Sequence, residues 1–202
     1  MNKTLILHGW GGSDAPHWQA ELASEIAKDY GTVSFPLLDN CHFPSKNRWL
    51  KQVKKLLEEF KPDTVVCHSL ANTLWFWLCQ EMTESLELEA LATNTTRLKP
   101  STPEFIEAIN NIERLFMVSP PSLSTTEATI KTFFPCEIPT NCYAKHIELI
   151  VSDSDPWIKL DEAESMAKMI GANYTVVKDA GHINADSGYG KWELIETLVL
   201  EK

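Results

Sequence analysis

The chain has 202 residues, of which 44% are hydrophobic and 23% charged, a globular balance that excludes a disordered or fibrous protein and fits one packed domain, residues 1–202. Its net charge of −10, with no local Lys/Arg cluster to offset it, excludes nucleic acid and anionic lipid as natural partners. No apolar run approaches the roughly 20 residues needed to cross a bilayer, and WFWLC at 75–79 is a patch rather than a span.

At the start, MNKTLILHGW offers only Leu5, Ile6 and Leu7 in a row before His8, too short a run for a signal-peptide core, so a cytoplasmic protein is expected. Residues 3–8 (KTLILH) read as a buried strand ending at Gly9. Residues 17–29 follow with Trp18, Leu22, Ile26 and Ala27 at helical spacing. The alternation continues with a short strand at 32–35, an amphipathic helix at 48–60 and a strand at 63–68. Next comes SLANTLWFWLCQEM, apolar on nearly every side and therefore a helix buried against the sheet. Residues 81–112 read as a long connection, with the polar stretch TNTTRLKPSTP and a short helix at 103–111. Further strands fall at 113–119, 146–152 and 173–178, and further helices at 161–170 and 191–201. About six strands alternating with helices imply a mostly parallel sheet covered on both faces.

The two long connections have different expected places. Residues 81–112 join a helix end to a strand start, which puts them opposite the strand C-termini and away from ligand chemistry. Residues 120–145 leave the C-terminal end of a strand, where open α/β sheets bind ligands. They are the better candidate of the two for a lid, with Phe133 and Phe134 as candidate pocket residues.

Three residues that can work together stand just past predicted strands, in the order Ser, Asp, His: Ser69 in VVCHSLA, Asp155 in SDSDPW and His182 in AGHIN. A serine hydroxyl is a weak nucleophile until a histidine takes its proton, and the histidine needs a carboxylate to fix its tautomer. Ser69 has the strand-turn-helix setting of a nucleophile elbow, with Cys67 and Ala71 where flanking glycines are usual. An N-cap serine also favours that position. Asp153 competes with Asp155 as the acid, and His182 is the only histidine after it. The amide of Leu70, and from the glycine loop HGWGG the amide of Trp10 with Gly11 as alternate, are candidate oxyanion donors. His8 and His68 are expected to make structural hydrogen bonds at strand ends. His17, His42 and His146 have no evident partner. Cys41, Cys67, Cys79, Cys136 and Cys142 include no CxxC pair and no zinc-type spacing, so free thiols and no bound metal are expected, with Cys67 too buried to act as nucleophile.

Taken together, HGWGGSDAPHW, VVCHSLA, FMVSPPSL, SDSDPW and AGHINADSGYGKW resemble the small serine hydrolases of the retinoblastoma-binding protein 9 / YdeN family. The similarity spreads over most of the chain, and GHIN followed by SGYGKW is its most specific part. The resemblance implies an α/β-hydrolase fold without a large cap domain, with nucleophile, acid and base at Ser69, Asp155 and His182. It also implies hydrolysis of small esters, amides or peptides without a cofactor. The elbow departs from the family in lacking both glycines, and 81–112 is longer than usual. Retinoblastoma-protein binding does not carry over, because the nearest match to L-x-C-x-E is WLCQE at 77–81.

The expectation is thus a monomeric serine hydrolase that forms an acyl-enzyme. The alternative is a weak or inactive hydrolase scaffold that binds a partner or metabolite. HGWGGS lacks the G-x-G-x-x-G spacing of a dinucleotide-binding Rossmann unit, which excludes that class.

Overall fold

Runs such as LIL at 5–7 and VVC at 65–67 place apolar side chains on both faces of a strand, so both faces must be covered. A computed structural model, which describes residues 2–28, 32–91 and 101–200, meets that demand. Strands β1 (Lys3–Leu7), β2 (Thr32–Ser34), β3 (Thr64–His68), β4 (Arg114–Val118), β5 (His146–Ser152) and β6 (Asn173–Val177) form one fully parallel sheet in the order β2-β1-β3-β4-β5-β6.

Alternation along the strands divides the interior into two cores. Leu5, Leu7, Val65, Cys67, Leu115, Met117, Leu149 and Val151 face helices α2 (Lys46–Phe60), α3 (Leu70–Leu91), α4 (Pro103–Asn110) and α5 (Leu160–Ile170). Ile6, Val66, Phe116, Val118 and Ile150 face α1 (Trp18–Lys28) and α6 (Glu193–Leu200). Each such buried aliphatic side chain contributes about 1.5–3 kcal/mol relative to an exposed one. Among the described residues no helix is long and apolar enough to cross a membrane.

Most expected elements lie within two residues of their observed ends, the usual spread at frayed termini. Two expectations need correction. Residues 81–91 are not part of a connection, because α3 continues through them for 22 residues in all. TESLELEAL contains no Gly or Pro and is rich in Glu, Leu and Ala, so helix propensity sustains the turn where apolar patterning fades. The polar stretch TNTTRLKPSTP lies outside the described residues up to Pro100, and its last residues, Thr102 and Pro103, cap and open α4. Phe133 and Phe134 do not line the site either. Phe133 is fully buried with its ring 5.4 Å from that of Trp49, and Phe134 packs on the same core. The segment around them is bound to α3, with Trp77 Nε1 donating to Phe133 O at 2.9 Å and Gln80 Nε2 to Glu137 O at 2.7 Å. Its apolar side chains Ile130, Phe133, Cys136 and Cys142 extend the helix-side core, a stronger attraction than a solvent-facing lid position.

The chain leaves β1 toward β2 on one side and returns past it to β3 on the other. This reversal opens a crevice at the C-terminal ends of β1 and β3, the place where parallel sheets bind ligands.

Candidate active site

Ser69 alone separates the end of β3 from the start of α3, and it takes a left-handed φ of 53°. A non-glycine residue in that region is strained and must be held. Ser69 N donates to Val118 O at 3.0 Å, and Asn72 Nδ2 donates at 2.9 Å to both Ser69 O and Val118 O. The clearance missing from the elbow's own sequence comes from the adjacent strand end. A Cβ on Gly9 would stand 2.7 Å from Ser69 Cβ and 3.1 Å from His68 O, so glycine is required there for close approach rather than for φ. Cys67 and Ala71 are fully buried without crowding the turn, and burial pushes the Cys67 thiol well above its ordinary pKa, leaving it inert.

His182 and Asp155 reach the same point from the loops after β6 and β5. His182 Nε2 lies 2.8 Å from Ser69 Oγ, and His182 Nδ1 lies 3.0 and 2.9 Å from the two oxygens of Asp155. The Asp155 side chain is wholly buried and also accepts from Trp157 N at 2.9 Å. Its partners assign the tautomer: His182 Nδ1–H donates to the carboxylate, leaving Nε2 to accept the Ser69 hydroxyl proton.

The histidine loop is tied down along its length. Asp153 Oδ1 accepts from Asp179 N at 2.7 Å, so the carboxylate that competes with Asp155 in the sequence is engaged elsewhere. Ser152 Oγ accepts from Ala180 N and Ser154 Oγ from Gly181 N, each at 3.0 Å. Ser187 Oγ accepts from His182 N at 3.2 Å and occupies the space a side chain at Gly181 would need, 2.5 Å from its Cβ position. From the elbow side, His68 Nε2 donates to His182 O at 3.1 Å.

Ser69 and His182 border a cavity of about 410 Å³, shared with Trp10, His17 and Trp157 among others, while Asp155 stays buried behind His182. The ring of Trp157 lies 6.3 Å from that of Trp10 and 6.2 Å from that of His182. Gly11 N is taken by Cys41 O at 3.0 Å, whereas no acceptor among the described residues meets the amides of Trp10 and Leu70. Asp14 and Asp186 bring carboxylates to the cavity, and its lining contains no Lys or Arg. No group of three His, Cys, Asp or Glu side chains among the described residues suits a metal ion.

Three histidines beside the site, His8, His17 and His68, are biased toward the neutral form. His8 is saturated, donating through Nδ1 to Gly9 O at 2.7 Å and accepting Leu38 N at Nε2 at 2.8 Å, and burial lowers its pKa. Burial also holds His68 well below the ordinary range and lowers His17 to about 4, with His182 nearby adding to both shifts. His17 does have a partner after all, since its Nδ1 accepts Gln19 N at 3.2 Å, while His42 and His146 are exposed.

A family model described as Serine hydrolase matches residues 4–93 and 98–201. The chain belongs to the serine hydrolase family. Among solved structures, this serine hydrolase is similar to the YdeN gene product of Bacillus subtilis, with a TM-score of 0.76 and 18% identity over 98% of this chain and 97% of that one. A protein described as a YdeN-like hydrolase from Pectobacterium atrosepticum gives a TM-score of 0.66 and 17% identity, covering 98% and 89%. Est1E of Butyrivibrio proteoclasticus, solved with ferulic acid bound, gives 0.55 and 11%, covering 98% and 90%. At such identities the likeness speaks for the fold, an α/β-hydrolase sheet, and among the described residues there is no large cap domain. No curated protein matches the serine hydrolase by sequence.

Ser69, Asp155 and His182 therefore come together, and the Trp10 and Leu70 amides lie in the same region of the fold. Sequence pattern does not reveal the pinning serines, the role of Asp153 or the presence of His17, Asp14 and Asp186 at the cavity. A usable signal existed for two of these: Asp14 and His17 lie in the loop between β1 and α1, at the topological switch point.

Proposed function

We propose that the protein hydrolyses small esters or amides through an acyl-enzyme, with Ser69 as nucleophile, His182 as general base and then acid, and Asp155 as its orienting carboxylate. The observation that carries this reading is the unbroken hydrogen-bond series from buried Asp155 through His182 to Ser69 Oγ at 2.8 Å. Ser69 Oγ attacks the substrate carbonyl while its proton passes to His182 Nε2. The imidazolium is stabilised by Asp155, and the proton then goes to the departing alcohol or amine. Water repeats the sequence on the acyl-enzyme, returning the acid and free Ser69. The negative charge on the carbonyl oxygen falls to the amides of Trp10 and Leu70, each worth a few kcal/mol in a dry site.

The lack of elbow glycines favours an inactive scaffold only while the turn is viewed alone, since Gly9 supplies the clearance from β1. Small esters are the default substrate class, as the cavity of about 410 Å³ suits a small acyl group flanked by aromatic rings. The test is labelling with a fluorophosphonate probe and locating the adduct by mass spectrometry. Label on Ser69 that disappears in Ser69→Ala is expected. A folded wild-type protein that takes no label counts against the mechanism.

A further inference from the structure

We propose that His17 contacts the substrate, its neutral imidazole donating a hydrogen bond from Nε2 to an oxygen close to the scissile bond. This rests on Ser69 being the nucleophile of the cavity that His17 shares. Three observations combine. His17 is only 5% exposed, yet it lines the cavity that contains Ser69 and His182. Its Nδ1 accepts the backbone N–H of Gln19 at the start of α1, so the neutral ring must carry its proton on Nε2. That Nε2–H has no partner among the described residues and is not shut away from the cavity. A donor that opens on a substrate cavity is met by water in the free enzyme and by a substrate oxygen once the substrate displaces that water.

The ring's orientation and charge state are fixed by its neighbours. His17 stacks obliquely on Trp18 with centroids 5.6 Å apart and meets His68 edge-on at 4.9 Å. His68 in turn lies 5.2 Å from His182 and donates to its carbonyl. The cavity also holds Asp14 and Asp186; His17 N donates to Asp14 O at 3.0 Å, and neither carboxylate bonds the His17 ring. Burial and the proximity of His182 and His8 keep His17 neutral above about pH 4, so it presents a donor of constant strength at working pH. A neutral donor selects for an acceptor such as an ether, carbonyl or hydroxyl oxygen. It gives nothing to a purely hydrocarbon chain.

Isosteric ester pairs test this. p-Nitrophenyl methoxyacetate differs from p-nitrophenyl butyrate by an ether oxygen in place of one methylene of the acyl chain. 2-Methoxyethyl butyrate stands in the same relation to n-butyl butyrate on the alcohol side. For each pair the kcat/KM ratio of oxygen-bearing to hydrocarbon ester is measured in wild type, His17→Phe and His17→Gln. Phe keeps a packed ring without a donor, whereas Gln restores an N–H at a similar reach. In at least one pair the ratio should fall about fivefold in His17→Phe and be retained in His17→Gln, the size expected for one neutral hydrogen bond. A ratio unchanged by Phe in both pairs, or lost equally with Gln, overturns the proposal. The rate of fluorophosphonate labelling at Ser69 separates this outcome from failure of the mechanism itself. If His17→Phe does not fold, His17→Met, apolar and adaptable in shape, is read by the same ratio.

Discussion

Replacing Gly9 by alanine should disable the nucleophile without touching it. The added methyl would begin 2.7 Å from Ser69 Cβ, 3.2 Å from Ser69 Oγ and 3.1 Å from His68 O. Ordinary carbon–carbon contact begins at about 3.5 Å, so the two strand ends must separate by about 0.8 Å. Gly9 lies outside the left-handed region, so alanine meets no backbone penalty and the effect isolates close approach. Elbow and β1 are both embedded in the sheet, and His182 is held from behind by His68, Ser187 and the β5 loop. The displacement therefore falls on the 2.8 Å contact between Ser69 Oγ and His182 Nε2. A misplacement of this size is worth about 10²-fold in turnover, with about 1–3 kcal/mol of overpacking strain in stability. Hydrolysis of p-nitrophenyl butyrate and the rate of fluorophosphonate labelling measure the first, and thermal unfolding the second. A Gly9→Ala protein within about threefold of wild type in both rates would show that the elbow does not depend on clearance from β1.

Asp155→Asn should keep the fold and reduce kcat by up to about 10⁴-fold, the size of the equivalent change in another triad enzyme; Asp153→Asn, which keeps an oxygen to accept from Asp179 N, should do far less, and a reversal of that order would assign the acid to Asp153. Stability should fall on acidification through a specific window. The pKa of His17 drops from an ordinary 6.5 to about 4 on folding, so the unfolded chain binds more protons between those values, and stability present above pH 6.5 is lost as pH falls toward 4. His17 alone contributes on the order of 3 kcal/mol to that loss, and His8 and His68 shift in the same direction. Thermal unfolding from pH 4 to 7 measures it, and a His17→Phe protein with an equally steep profile would exclude His17 as a source. With Asp14 and Asp186 at the cavity and no Lys or Arg lining it, p-nitrophenyl hemisuccinate should be cleaved at least about fivefold more slowly than the butyrate, the gap narrowing with salt and in Asp14→Asn/Asp186→Asn. Equal rates at low salt would show that the rim carboxylates do not act on the substrate.

What the sequence determined by itself was everything carried by local pattern and order. Uninterrupted apolar runs such as VVC must be covered on both faces, and strands alternating with helices can form only a parallel sheet with crossovers. That sheet collects its loops at the strand C-termini, so Ser69, Asp155 and His182, each just past a strand, were legible as one group across a separation of 113 residues. Local pattern misled where propensity outlasted amphipathicity, as at the end of α3, and where a loop's apolar side chains had a core to join, as at Phe133.

Only the tertiary structure decided the matters of distance. Asp155 and Asp153 are chemically identical and two residues apart, and only the approach of the β6 loop turns one toward His182 and the other toward Asp179 N. Gly9 and Ser69 are 60 residues apart, and that they share one crowded point depends on the register of β1 against β3. His17 had no visible partner in the sequence, because a ring's proton position and its opening to a cavity are set by neighbours from α1, the elbow and the histidine loop together. Hydrogen bonds and steric clearance act over about 3 Å, so they depend on packing between segments that sequence order leaves far apart.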